Sequence, residues 1–241
     1  MRERERDDEA FQSMRERKST SSLYFPLFSS FEFLSSVIIM SQNYTFFVIL
    51  DFEATCDENS KPRPNPQEII EFPALKVNAI TYDIEDEFQQ FVKPVKNPQL
   101  TEFCKNLTSI QQKDVDNACE FGEVFHDFQL WIEREINDKC FIFVTFGDWD
   151  LKTMLPSQCR TSGMELPDYC KRWINVITEY RKATDDNQSG FINIPKMLSR
   201  LGIDHTGTLH RGIDDCRNTL KILKALADRG HIFSPSAACI S

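Results

Sequence analysis

Three stretches of the sequence carry carboxylates and an imidazole at spacings that could serve one reaction. The first is Leu50-Asp51-Phe52-Glu53-Ala54-Thr55-Cys56, directly after the apolar run Phe46-Phe-Val-Ile-Leu50. Side chains two apart on a strand face the same way, so Asp51 and Glu53 are expected to project together from a strand end. Carboxylates placed so close repel one another unless a positive charge lies between them. Hard oxygen ligands of this kind suit Mg2+ or Mn2+. An acidic strand end that turns into solvent would have the same spelling.

The second stretch is Phe143-Val-Thr-Phe-Gly147-Asp148-Trp149-Asp150-Leu151, again acids at the carboxyl end of an apolar run, where α/β sheets place their sites. Either aspartate can cap the following helix. Asp148 is assigned to the cap or rim and Asp150 to a metal, although spacing alone does not separate them. The third is His210-Arg-Gly-Ile-Asp214-Asp215-Cys-Arg-Asn218. At about 100° per residue, Cys216, Leu220, Leu223 and Ala227 form a buried stripe. Asp215 falls on its flank between Ile222 and Leu226, whereas Asp214 points with Asn218 and Lys221 toward water. A carboxylate at the margin of a core needs a partner, so Asp215 is the ligand candidate, and Asp214 suits the positive end of a helix dipole.

The elements that must hold these groups alternate between strand and helix. Phe46–Leu50 reads as a central strand covered on both faces. After a Pro-rich loop at 61–66, Gln67–Ile80 and Glu87–Val92 are two strands that could pair as a meander. Phe121, Val124, Phe125, Phe128, Trp131, Ile132 and Ile136 recur at helical spacing over 121–136, an amphipathic helix. Cys140–Phe146 is a strand, followed by a helix from about Trp149. Ile194–Leu201 has Pro195 in its first turn and Gly202 just past its end, a matched pair of boundary signals. The last helix is Asp214–Arg229, stopped by Gly230. The expected architecture is one α/β domain over 41–234.

The chain has 241 residues, 41% hydrophobic and 12% aromatic with 20 Phe, enough to bury a core and to exclude a disordered or low-complexity protein. A net charge of −9 argues against a protein that coats duplexes. It does not exclude one that grips a strand end through metal ions. Charge is uneven: 41–150 holds 9 basic and 21 acidic residues, 151–231 holds 13 basic and 9 acidic. A polyanion backbone is therefore expected along Lys171, Arg172, Arg181, Lys182, Arg211 and Arg217, the alternative being an ordinary solvated surface. The 8 cysteines include no C-x-x-C pair, which points to thiols in a reducing compartment and an intracellular protein, cytoplasmic or nuclear. The sequons at Asn43, Asn106 and Asn187 then carry no glycan. Residues 1–40 read as a charged then apolar tail outside the fold. Its interruption by serines, Pro26 and Glu32 argues against a membrane span, and no membrane partner is expected. Residues 235–241 form a C-terminal tail.

Together the three stretches resemble the DEDDh 3′→5′ exonucleases, whose fold is ribonuclease-H-like, a mixed sheet flanked by helices. The likeness extends to the enhanced-RNAi and histone-mRNA 3′-exoribonuclease branch. It rests on Leu50–Cys56, Gln67-Glu-Ile-Ile-Glu-Phe-Pro73, Trp173-Ile-Asn175 and Gly212–Cys216, and it covers about 44–233. Gly147-Asp-Trp-Asp-Leu-Lys152 is most similar to the prion-protein-interacting subgroup of that branch. The resemblance implies that Asp51, Glu53, Asp150 and Asp215 bind two Mg2+ ions (Mn2+ able to substitute). It further implies that Glu53 and His210 are catalytic, His210 being the general base, and that Glu53, Ala54 and His210 contact the terminal nucleotide. Arg211 departs from the pattern, since relatives commonly carry a small residue there. Some relatives bear an N-terminal nucleic-acid-binding domain, for which forty residues are too few.

The implied activity is release of nucleoside 5′-monophosphates from the 3′ end of single-stranded RNA. The alternatives are action mainly on single-stranded DNA, which differs by contacts to the 2′-OH, or an RNA-binding scaffold with little catalysis. Trp149 could stack a terminal base, although a packed core position is the blander expectation. His126, His205 and His231 are expected at the surface.

Overall fold

Strand β1, Phe46–Leu50, is buried along its whole length, and its alternation divides the interior into two layers. Phe46, Val48 and Leu50 enter one apolar cluster, while Phe47 and Ile49 enter the other, as a strand covered on both faces requires. The computed structural model describes residues 44–58, 64–184, 190 and 192–236. The expected N-terminal tail, the sequons at Asn43 and Asn187, residues 61–63 of the Pro-rich loop, Cys239 and most of the C-terminal tail lie outside the described residues.

Strands β2 (Glu53–Ala54), β3 (Ile69–Asn78) and β4 (Ile84–Lys93) follow. The expected meander is the antiparallel β3–β4 pair, and β3 also runs antiparallel to β1. Two short helices come next, α1 (Glu102–Thr108) and α2 (Gln112–Asp116). The sequence pattern did not reveal them, because neither is long enough to display an apolar stripe. Their signals are caps: Thr101 Oγ1 accepts from Cys104 N at 3.0 Å, and Asp114 accepts from Gln111 N at 2.9 Å.

Strand β5 (Cys119–Glu120) leads into α3 (Phe121–Ile136), whose boundaries and buried residues match the periodicity. Its aromatic face meets the sheet at Phe72, with ring centroids of Phe72 and Phe128 4.6 Å apart and Phe52 edge-on to Phe72 at 4.7 Å. Each fully buried ring of this kind contributes about 1.5–3 kcal/mol. Strand β6 (Phe141–Thr145) pairs parallel with β1. A π-helical turn, Asp150–Met154, and α4 (Leu155–Thr161) follow where one helix from Trp149 was expected.

Strand β7 (Trp173–Asn175) closes one edge, parallel to β6. Helices α5 (Val176–Thr184), α6 (Ile194–Leu201) and α7 (Gly212–Ala227) cover the second face. Asn193 caps α6 by accepting from Lys196 N, and Gly202 ends it with φ 74°. The sheet order is β5-β4-β3-β1-β6-β7, with β2 beside β3. This is the mixed α/β arrangement expected from the sequence.

Candidate active site

Because β1 and β6 run parallel with Ile49 opposite Val144, their carboxyl ends deliver both acidic stretches to the same edge of the sheet. Asp51 follows β1 directly. Asp150 opens the π-helical turn, and its Oδ1 accepts from Phe52 N at 2.9 Å, which ties it to the peptide next to Asp51. Glu53 lies in β2 opposite Glu71 of β3. The third stretch arrives from the far side: Gly212, the first residue of α7, rests on the backbone of Asp51, and a Cβ added there would lie 2.5 Å from the Asp51 carbonyl oxygen. His210 turns into the helix with φ 56°, and its N–H donates to Asp215 Oδ2 at 2.9 Å.

Ligand atoms of Glu53, His210 and Asp215 all lie within 4.8 Å of one another. Glu53 and Asp215 are buried and His210 is exposed. Burial pushes the Asp51 carboxyl well above the usual carboxylate range, and the charges of Asp150, Glu53 and Asp215 push it further. Glu53 is raised in the same way, first by burial and then by Asp215 and Glu71. Burial raises Asp150 to about 6 and Asp215 to about 7. These acids therefore occupy one electrostatic neighbourhood whose repulsion a cation would relieve. Asp215 Oδ1 is moreover buried without a hydrogen-bond partner, an unusual and costly state for a carboxylate oxygen. The carboxylate oxygens gathered here fit hard divalent metal ions.

The sequence matches the exonuclease family over residues 48–223. The chain belongs to that family. Within it the chain falls in the DEDDh, ERI1-related branch. It is 46% identical over 201 residues to ERI1 exoribonuclease 3 of Homo sapiens, a match covering 81% of this chain and 58% of that protein. It is 38% identical over 196 residues to 3'-5' exoribonuclease 1 of Mus musculus, covering 78% and 54%. The chain thus spans a little over half the length of these relatives. The nuclease domain of 3'hExo, a DEDDh family member solved bound to rAMP, superposes with a TM-score of 0.76 at 34% identity, covering 81% of this chain and 98% of that one. A DEDDh exonuclease fold implies divalent metal ions, consistent with the acidic cluster.

Asp148 does not join the other acids. Its Oδ1 accepts from Asn175 Nδ2 at 2.7 Å and Trp173 Nε1 at 3.1 Å, bracing the loop after β6 against β7. Ala54 is buried in β2, and its carbonyl accepts from Cys104 Sγ at 3.7 Å. Several expectations are corrected. Asn218 is fully buried, because the loop before α7 folds over it: Asn218 accepts from Thr206 N and donates to Thr206 O. Asp214 is held in the same way, by Thr208 N and Arg217. Trp149 is not a core residue but 39% exposed, lining a cleft with Pro64, Pro66 and Met154.

His126 is exposed, as expected. His231 is not a surface residue, since its Nε2 lies 2.7 Å from Oε2 of buried Glu179. His205 is also half-buried, with Nε2 enclosed. Most of the basic residues expected to track a backbone are engaged in ion pairs within the protein: Lys171 with Asp168, Lys182 with Glu179, Arg217 with Glu87, and Arg211 with Glu71. Sequence pattern gave no role to Glu71, a wholly buried carboxylate in β3. Its signal was a lone charge inside the apolar run Ile69-Ile-Glu-Phe-Pro-Ala-Leu75.

Proposed function

We propose that the protein is a metal-dependent 3′→5′ exonuclease acting on the 3′ end of single-stranded RNA and releasing nucleoside 5′-monophosphates. The observation that carries this reading is the approach of Glu53, His210 and Asp215 to within 4.8 Å, with the orphaned Asp215 Oδ1 facing no protein donor. The names of the relatives, exoribonucleases, and the rAMP bound to the 3'hExo domain support RNA as the substrate.

Asp51, Glu53, Asp150 and Asp215 would hold two divalent cations, Mg2+ or Mn2+. Bound there, such ions stabilise charge on the transferring phosphoryl group and on the departing oxygen. The protein's own contribution begins with His210. Burial lowers its pKa below the ordinary histidine value, so the ring is neutral near pH 7 and can take a proton from the attacking water at a ring nitrogen. Its backbone is fixed by the N–H bond to Asp215, so the base and a ligand share one support. Glu53 and Ala54 line the place of the terminal nucleotide, and the exposed face of Trp149 offers a stacking surface worth about 1–3 kcal/mol per base. We place this work inside the cell: the described cysteines are free thiols, four of them buried, which suits a reducing compartment. Among the described residues no helix is long and apolar enough to cross a membrane.

The test is a 5′-labelled single-stranded RNA incubated with the protein and Mg2+ or Mn2+, with a chelator arm and a matched DNA. Stepwise shortening of RNA that stops with chelator is expected. Faster loss of the DNA would reassign the substrate, and intact RNA that is tightly bound would make the protein a scaffold.

A further inference from the structure

Glu71 is 0% exposed, yet it lies beside a cluster of carboxylates whose charges it disfavours; its own charge raises Asp51, Glu53 and Asp215. A buried carboxylate in such company is expensive unless it is fully paired. Glu71 is well supplied with donors. Gln89 Nε2 donates to Oε1 at 2.6 Å, and Arg211 Nε lies 3.4 Å from the same oxygen. Oε2 accepts from Gly212 N at 3.1 Å. The Arg211 guanidinium in turn lies over the Phe91 ring, 4.8 Å from its centroid.

The Gly212 bond stands out. Gly212 is the first residue of α7, where N–H groups have no intrahelical acceptor. Two residues earlier, the His210 N–H is taken by Asp215 Oδ2. The turn 210–212 is therefore held at both ends by carboxylates, one from the helix and one from the sheet. The sheet-side carboxylate belongs to the residue that pairs across the ladder with Glu53.

We propose that Glu71 is a positioning residue: by accepting the Gly212 N–H it locks the His210 turn in register with Glu53 across the β2–β3 ladder, while Arg211 and Gln89 neutralise and orient its carboxylate. Glu71 touches no reacting atom in this scheme. Its effect passes through the placement of His210, and a misplacement near 1 Å costs about 10²-fold in rate. This also gives Arg211 a task, as the counter-charge to Glu71.

The kinetic arm rests on the exonuclease reading; the exchange arm does not. In the metal-free wild-type protein, the Gly212 amide followed by NMR hydrogen exchange is expected to be protected like an interior helical amide, unlike an ordinary first-turn amide. Glu71→Met, which fills the space without an acceptor, should release that protection. On RNA it should lower kcat by about 10–100-fold while KM changes less than about threefold. Glu71→Gln retains an acceptor and should restore both protection and most of kcat. Should Glu71→Met fail to fold, the wild-type exchange rate and the near-normal kcat of Glu71→Gln still decide. Fast exchange at Gly212 in the wild type, an unaltered kcat in Glu71→Met, or a kcat loss that Glu71→Gln fails to rescue would each overturn the proposal. If the wild type leaves RNA intact, the exonuclease reading falls, and the Gly212 exchange still tests the clamp.

Discussion

Gly212 packs directly against the backbone of Asp51: a Cβ at position 212 would lie 2.5 Å from the Asp51 carbonyl oxygen and 2.8 Å from Pro73 Cγ. The start of the last helix and the end of the first strand are thus in contact through main chain, which brings residues about 160 positions apart in sequence into one site.

The first prediction concerns that contact. Alanine favours a helix over glycine by about 1 kcal/mol, yet Gly212→Ala is expected to destabilise the protein by about 1–3 kcal/mol, since the carbonyl it meets cannot swing aside. Urea denaturation would measure this, and a gain in stability would show that the helix start can move.

His210→Ala should leave the fold, divalent-ion binding and RNA binding intact and lower turnover by about 10²–10⁴-fold, the range for a general base. Calorimetry of metal binding alongside single-turnover degradation separates these effects. Hydrolysis at the wild-type rate would remove His210 from the chemistry.

The acids predict an unusual pH dependence without metal. Asp150 is raised to about 6 and Asp215 to about 7, from 3.8. The unfolded chain then ionises first as pH rises, so the metal-free protein loses stability from about pH 4 to about pH 7. His210, lowered by burial, works against this on the acid side, since below about pH 6.5 the unfolded chain binds its proton more readily. Half-exposed, it contributes less. Thermal melts in EDTA should fall from pH 5 to pH 8, and Mg2+ or Mn2+ should raise them most at pH 8. A melting temperature that climbs through this window in EDTA would contradict the electrostatic account.

Asp215→Asn removes one of the mutually repelling charges while leaving an acceptor for the His210 N–H. The metal-free variant is expected to melt about 2–4 °C higher at pH 8, equivalent to about 1 kcal/mol, and to lose both the divalent-ion stabilisation and the nuclease activity. A variant that melts lower in EDTA would mean that Asp215 is held by something other than a cation.

Much of this architecture could be read from residue types alone. Phe46–Leu50, Phe121–Ile136 and Ile194–Leu201 announce themselves by unbroken or periodic apolar runs and by Pro195 and Gly202 at the helix boundaries. Those signals are local, and burial of the corresponding faces is what stabilises the elements. Helices α1 and α2 escaped because five to seven residues cannot display a period. Trp149, Asn218 and His231 were misplaced because each depends on a distant partner: the cleft by Pro64 and Pro66, the loop at Thr206, and Glu179.

The acidic and imidazole groups were likewise visible one stretch at a time, since their types and spacings are properties of the chain. What the chain could not state is which of them meet, or that Asp148 would be drawn to Trp173 and Asn175 while Asp150 stays beside Asp51. Nor could it state that Glu71 would lie behind them holding Gly212. Those relations arise only when parallel pairing of β1 with β6 and the close approach of a glycine to a carbonyl fix distances between segments far apart in sequence, because electrostatic and hydrogen-bond energies depend on separation in space.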